Sequence, residues 1–391
     1  MNRNAYGLNA REIMLEFARM TGLTSAARPP QRYLWTDAFA VCNFLELFRR
    51  TNDETWRDLA LRLVDQVHHT LGRHRDDDPR TGWISGFDEQ DGDLHPTIGG
   101  LRIGKTFNER RPGEPPDEDL EWDRDGQYYH YLTKWMHALN RVSRVSGDPT
   151  CTRWAMELAK SVHARFTYFP SAGGQMRMYW KMSIDLTYPL VPSMGRHDPL
   201  DGLVTYVELQ STATKDFGQS PLPDLSIEIN DMADICRGKS WDTDDPLGIG
   251  GLLFDASRIA QLIIRGDCAY SDLLETMLDS ALLGLRSFTA DQTLEFPASY
   301  RLAFRELGLS IGLKGVGQLE GWIKENPHLF VRESSLCQRI EVLKDYVPLS
   351  EIIERFWRDE RNRKAESWTG HREINMVMLA TSLASEGFLM I

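Results

Sequence analysis

The chain has 391 residues, 41% hydrophobic and 26% charged, a balance that excludes an extended disordered polymer and supplies enough apolar side chains for a large core. A net charge of −12 at pH 7 with no sizeable basic face excludes a nucleic-acid partner, and no apolar run approaches the ~20 residues that span a bilayer, so no membrane partner is expected. The five cysteines (Cys42, Cys151, Cys236, Cys268, Cys337) form no CxxC pair and suggest neither a disulfide framework nor a zinc site; with no apolar leader in Met1 to Ala10, the expected compartment is the cytoplasm.

Helical periodicity recurs along the whole chain, and it recurs in pairs. Arg11 to Met20 reads as an amphipathic helix, Asp37 to Arg50 as a strongly apolar one, and Glu54 to Arg73 as amphipathic again, with Asn52-Asp53 supplying a short turn. The next apolar helix spans about Gln127 to Val145; after Gly147-Asp148-Pro149 it is followed by an amphipathic partner from Thr152 to Arg165. Leu200 to Thr212 pairs with Leu225 to Cys236, and Leu247 to Ile264 with Tyr270 to Phe288. Ser299 to Leu313 with Gln318 to Ile323 makes a fifth pair, and Ser334 to Lys344 and Leu349 to Arg358 are further helices. Thr369 to Ser385 then lacks a partner, which Arg11 to Met20 supplies if the two ends of the sequence meet.

The expected fold is therefore all-α, an (α/α)6 toroid of six hairpins forming one domain over residues 1–391, with the more apolar helix of each pair inside. Links from inner to outer helix are short, whereas links from outer to inner helix are long, especially 76–124 and 167–199. Within Thr167 to Asp185, the alternation of Met176, Met178 and Trp180 around Ala172-Gly173-Gly174 predicts a small β-hairpin insertion. The long loops are expected together over the mouth of the cavity, on the face where the inner helices begin.

Those beginnings are acidic and aromatic: Trp35-Thr36-Asp37, Trp122-Asp123-Arg124-Asp125, His197-Asp198-Pro199-Leu200-Asp201, Trp241-Asp242-Thr243-Asp244-Asp245, Glu295-Phe296-Pro297 and Trp368-Thr369-Gly370-His371-Arg372-Glu373. Helix capping accounts for any single aspartate or threonine, but it asks for neither repeated tryptophan nor extra carboxylates. Asp125 and Asp201 are the first candidates for acid and base work. Trp35, Asp37, Tyr128, His197, Trp241, Asp242, Asp245, Trp368 and Glu373 are candidates for holding a substrate.

The pattern resembles the six-hairpin glycosidase superfamily, whose members keep acidic and aromatic residues at the inner-helix starts. The resemblance implies a sugar substrate stacked on aromatic rings, with one carboxylic acid protonating a leaving oxygen while a second carboxylate activates water or attacks carbon. Trp368-Thr369-Gly370-His371-Arg372 is also similar to the last inner-helix start of the N-acylglucosamine 2-epimerase group, which implies a histidine exchanging a proton beside a sugar carbonyl; His371 and His197 would be the carriers. A sugar-binding or scaffold protein without catalysis is the third reading.

Two sharper motifs lack their context. Gly99-Gly100-Leu101-Arg102-Ile103-Gly104-Lys105-Thr106 fits the Walker A pattern, but no apolar strand precedes it and Pro112, Pro115 and Pro116 stand where a helix would run. The basic residues Arg102, Lys105, Arg110 and Arg111 still concentrate positive charge in an acidic chain, which suggests an anionic group on the substrate, with Arg102 and Lys105 binding it. Asp242-Thr243-Asp244-Asp245 resembles the proton donor of class II terpene cyclases, but Pro246 departs from that pattern and the repeated Gln and Trp motifs are missing. No cofactor and no metal are expected, the Asp cluster being a weak cation signal.

Overall fold

The computed structural model describes residues 9–24, 29–171, 173–268 and 270–391. The leader reading at residues 1–8, and the turn residue Ala172, lie outside the described residues. In chain order the elements are α1 (Ala10–Met20), α2 (Leu34–Thr51), α3 (Glu54–Leu71), α4 (Glu89–Leu94), α5 (Glu118–Glu121), β1 (Gln127–Tyr128), α6 (Tyr129–Ser146) and α7 (Thr150–Phe166). There follow β2 (Thr167–Tyr168), β3 (Arg177–Met178), β4 (Lys181–Met182), β5 (Pro189–Val191), α8 (Asp198–Lys215), α9 (Ser226–Cys236), α10 (Pro246–Ile264) and α11 (Ser271–Ala290). The chain ends with α12 (Ala303–Glu325), α13 (Glu333–Lys344), α14 (Pro348–Arg358), α15 (Glu366–Thr369), α16 (Arg372–Leu383) and α17 (Glu386–Leu389).

The chain is all-α, and its helices divide by burial as the periodicity requires. Every residue of α2 from Leu34 to Leu47 is buried, whereas α3 buries one stripe, Trp56, Leu59, Ala60, Leu63, Val64, Val67, His68 and Leu71. A helix apolar on most sides has to lie inside, and one with a single stripe covers it. The turn between them is closed by Asn52, left-handed at φ 53°, and by Asp53, whose carboxylate accepts the Thr55 N–H at 3.1 Å.

Residues 18–237 form one compact unit and residues 238–391, with the start of α1, form another. In the first, α2 packs on α3 and α6, α6 on α7 and α8, and α8 on α9, giving three successive hairpins. The hairpin insertion is present as β2 antiparallel to β3, with Thr167 opposite Met178, beside a three-stranded sheet in the order β1-β4-β5. In the second unit α10 packs on α11 and α12, and α12 on α13, α14 and α16. Arg372 at the start of α16 donates to Glu16 of α1 at 2.5 Å, so the helix expected to lack a partner meets the first described helix. Counted over the two units, the described residues make six hairpins, as expected.

One expected pair is not a pair. Ser299 to Leu313 and Gln318 to Ile323 belong to the single 23-residue helix α12, with its partner in α13. Glycines of α10 and α12 serve close packing between the two helices. A Cβ at Gly250 of α10 would lie 2.1 Å from the Gly308 carbonyl, one at Gly312 would lie 2.5 Å from the Gly250 carbonyl, and one at Gly315 would strike the Ser257 hydroxyl. Helix propensity loses ~1 kcal/mol per glycine, and the backbone approach these residues permit offsets it. Among the described residues α10 alone is long and apolar enough to cross a membrane, and most of it is buried against other helices.

Candidate functional site

The two long loops of the first unit interlock. Arg80 joins Asp78, Glu109 and Asp185, Arg110 donates to the Leu190 carbonyl at 2.8 Å, and the Tyr188 hydroxyl donates to the Arg110 carbonyl at 2.6 Å. Lys181 of β4, fully buried, donates to the Glu121 and Arg124 carbonyls at 2.7 and 2.9 Å and lies 5.2 Å from the centre of the Tyr128 ring. Burial pushes its ammonium down to about 8, against the attraction of Glu121.

The segment that fits the Walker A pattern is spent inside this weave. Its backbone N–H groups go to Gln127 Oε1 (from Leu101), the Leu71 carbonyl (from Arg102), the Gly126 carbonyl (from Ile103) and Asp125 Oδ1 (from Gly104), and no helix follows it. These four donors are therefore not free to cradle a phosphate.

Asp125 is the knot of the weave. Its buried carboxylate accepts from Arg102 at 2.9 Å, from Arg75 at 3.3 Å, and from the Gly104 and Gly126 N–H groups at 2.9 and 3.1 Å. Arg102 is equally engaged, since it also donates to the Arg73 and Thr70 carbonyls at 2.9 and 2.7 Å. Lys105 is half-buried with its ammonium 5.5 Å from the Tyr33 ring centre; burial lowers its pKa, against the pull of Asp123 and Asp125.

Above the starts of α2 and α6 stands a bank of aromatic rings. The Tyr33 and Tyr131 hydroxyls share a hydrogen bond of 2.7 Å, and Tyr128 lies 5.3 Å from Tyr131 and 5.4 Å from Trp180, centre to centre. Trp35 packs on Phe39 at 4.6 Å and reaches Tyr131 at 6.3 Å. Asp37, one turn into α2, accepts the Tyr33 N–H at 3.0 Å and faces Arg32 at 3.4 Å; burial raises its pKa to about 6, against the Arg32 charge.

The starts of α6 and α8 meet through charged groups. Asp201 accepts from Lys134 at 2.7 Å and from the Thr133 hydroxyl. One turn earlier, His130 Nδ1 lies 3.8 Å from Asp198 Oδ1, beyond hydrogen-bond reach. Both His130 Nδ1 and Asp198 Oδ2 are closed off from solvent without a hydrogen-bond partner, although 29% of the His130 side chain is exposed. Burial lowers His130 to about 4, with Lys134 adding to the effect and Asp201 opposing it. Burial raises Asp198 to about 7, with the Asp201 charge adding and Lys134 opposing. At neutral pH the histidine is thus a neutral base and the aspartate is near its midpoint. His197, half-buried, immediately precedes Asp198.

In the second unit the starts of α10, α12 and α16 are also linked. Asp245 caps α10 at the Gly248 N–H (3.2 Å) and pairs with Arg305 at 2.9 Å. His371, exposed, stands edge-on to Phe304 at 5.8 Å. Asp242 accepts from Ser240 and Ser280 at 2.7 and 2.8 Å, and Trp241 is buried. Trp368 stacks on Trp357 at 5.6 Å; the Trp357 indole donates to Glu306, which Arg301 holds through two nitrogens. Glu373 is half-buried in the first turn of α16. Among the described residues no group of three His, Cys, Asp or Glu side chains gathers to hold a metal.

Sequence reasoning therefore brought Trp35, Asp37, Tyr128, His197 and Asp201 to one neighbourhood but passed over Tyr33, His130, Tyr131, Trp180 and Asp198. The run Tyr128-Tyr129-His130-Tyr131 at an inner-helix start was the signal available for two of them, His130 and Tyr131.

No known sequence family matches the chain, and no curated protein matches it. Among solved structures it is similar to a sugar epimerase from a ruminal bacterium, with 11% identity, a TM-score of 0.46 and 86% of each chain covered. It is also similar to the cellobiose 2-epimerase of Spirochaeta thermophila, with 12% identity, a TM-score of 0.45, and 87% of this chain and 85% of that one covered. For the cellobiose 2-epimerase of Bacillus thermoamylovorans the identity is 12%, the TM-score 0.45, and 87% of each chain is covered.

Proposed function

We propose that the chain is a carbohydrate-active enzyme that moves a proton at a carbon beside a sugar carbonyl, an epimerase or isomerase, rather than a glycoside hydrolase. The observation that carries this reading is the pair His130 and Asp198, side by side with a closed-off, unpartnered ring nitrogen and carboxyl oxygen beside a bank of aromatic rings. Such rings suit the apolar faces of a sugar, and a neutral imidazole beside a protonated carboxyl suits removal and return of a proton. In that step His130 takes the proton from the carbon next to the carbonyl, the C–H pair becomes a C=C bond as the carbonyl π pair moves to oxygen and takes the Asp198 proton to form an enediol, and return of a proton to the opposite face of the carbon, with the oxygen giving its proton back, inverts the centre. His197, in the same unit, is a further candidate for that second delivery.

The hydrolase reading asks for two carboxylates free to act on a glycosidic bond. Asp125 is saturated by four donors, and Asp201 is tied to Lys134 and Thr133, which leaves that reading the weaker of the two. Lys105 supports an anionic substituent on the sugar better than Arg102 does, because Arg102 already serves Asp125 and two carbonyls.

Incubation with reducing mono- and disaccharides in D2O, followed by NMR, tests the proposal. Deuterium should enter the position next to the carbonyl as the epimer accumulates, and His130→Ala should abolish both. Release of sugar from aryl glycosides without exchange would instead favour hydrolysis, and saturable binding with neither reaction would leave a sugar-binding protein.

A further inference from the structure

The second unit holds a cavity of about 340 Å3 between α1, the segment 360–369 and α16, and its wall combines positive charge with an apolar floor. Arg363, Lys364 and Arg372 supply the charge, and Trp368, Met376 and Leu379 the floor. Two of the cations are balanced, Arg372 by Glu16 at 2.5 Å and Lys364 by Glu360 at 3.3 Å. Arg363 has no such ion pair among the described residues, and its Nε is closed off from solvent without a hydrogen-bond partner. Of the nearby acids, Glu360 is taken by Lys364, and Asp359, whose carboxyl feels the Arg363 charge, is chelated by Arg361 at 2.6 Å. A guanidinium presents its donors as a planar fork that fits an oxyanion through two hydrogen bonds, and burying one unused is unfavourable. In a chain of net charge −12, a concave wall with three cations, Arg363, Lys364 and Arg372, against two carboxylates, Glu16 and Glu360, carries an excess of positive charge.

We propose that this cavity binds a small organic anion, an oxyanion head engaging Arg363 and an apolar or planar body resting on Trp368, Met376 and Leu379. Its volume falls within the roughly 300–1,000 Å3 typical of small-molecule sites. The proposal does not rest on the sugar reading, and neither test decides the other.

Titration calorimetry of the whole chain with phenyl phosphate, benzoate, inorganic phosphate and benzyl alcohol separates the contributions. At least one organic anion should bind about tenfold more tightly than inorganic phosphate or benzyl alcohol, and added NaCl should weaken it. The better of the two identifies the head group. Arg363→Gln should weaken that binding by about tenfold, while Arg286→Gln, the same charge loss on an exposed position of α11, should leave it unchanged. If Arg363→Gln folds poorly, Arg372→Gln carries the same test, since it leaves the Glu16 carboxylate uncompensated in the wall. The proposal is overturned by the absence of saturable binding of either organic anion, by equal affinity for benzyl alcohol, by undiminished affinity in the cavity variants, or by an equal loss in Arg286→Gln.

Discussion

His130 and Asp198 respond to burial in opposite senses, and the two directions make separate predictions. His130 is neutral above about 4 and Asp198 protonated below about 7, so exchange activity should be bell-shaped between those limits. Stability carries the same signature. The folded chain binds the Asp198 proton more tightly than the unfolded one, so its contribution is present at low pH and lost as pH rises through 7. The melting temperature of Asp198→Asn should therefore gain on that of the unsubstituted chain across that rise, and parallel curves would refute the assignment. For His130 the sign reverses, because the unfolded chain binds its proton better, and stability is lost as pH falls toward 4. Asp125 should behave as structure. Asp125→Ala leaves Arg102 without its carboxylate while Arg75 keeps Asp77, and chemical denaturation should show a loss of about 3 kcal/mol. At this scale the sequence reveals which residue types stand at helix starts but not which are already taken. The Arg75 partner of Asp125 is 50 residues away in a loop of no regular period, and nothing in the local pattern of either residue announces the other.

At the scale of elements, period and capping were legible and breaks were not. Asn52-Asp53 and Gly147 end and begin helices as their backbone preferences dictate, with the glycine left-handed at φ 75°. The glycines of α12 look the same in sequence but act through a neighbour that the sequence does not reveal. Two substitutions on this helix separate the effects. Gly312→Ala places a methyl 2.5 Å from the Gly250 carbonyl and should destabilise by about 1–3 kcal/mol, with α10 and α12 forced apart. Gly321→Ala meets nothing within 4 Å and should stabilise by about 0.5–1 kcal/mol. Denaturant midpoints that shift in the same direction for both would remove the packing explanation.

At the scale of the whole molecule, alternation of apolar and amphipathic helices was enough to count six hairpins, because burial on all sides and burial on one side leave different periodicities. The same contrast predicts native-state hydrogen exchange: amides of α2 and α10, buried nearly all round, should exchange more slowly than those of α3. What periodicity could not supply was the division of the hairpins between residues 18–237 and the remainder, since both halves repeat the same pattern. That division has a temporal meaning. The contacts of α2, α6 and α8 close within 18–237, whereas the Glu16–Arg372 pair joins residues 356 positions apart. Loop closure over such a span is slow, and a ribosome delivers α16 long after α1. The start of α1 should therefore be the last segment to acquire protection in pulse-labelled refolding, waiting exposed while three hairpins form without it.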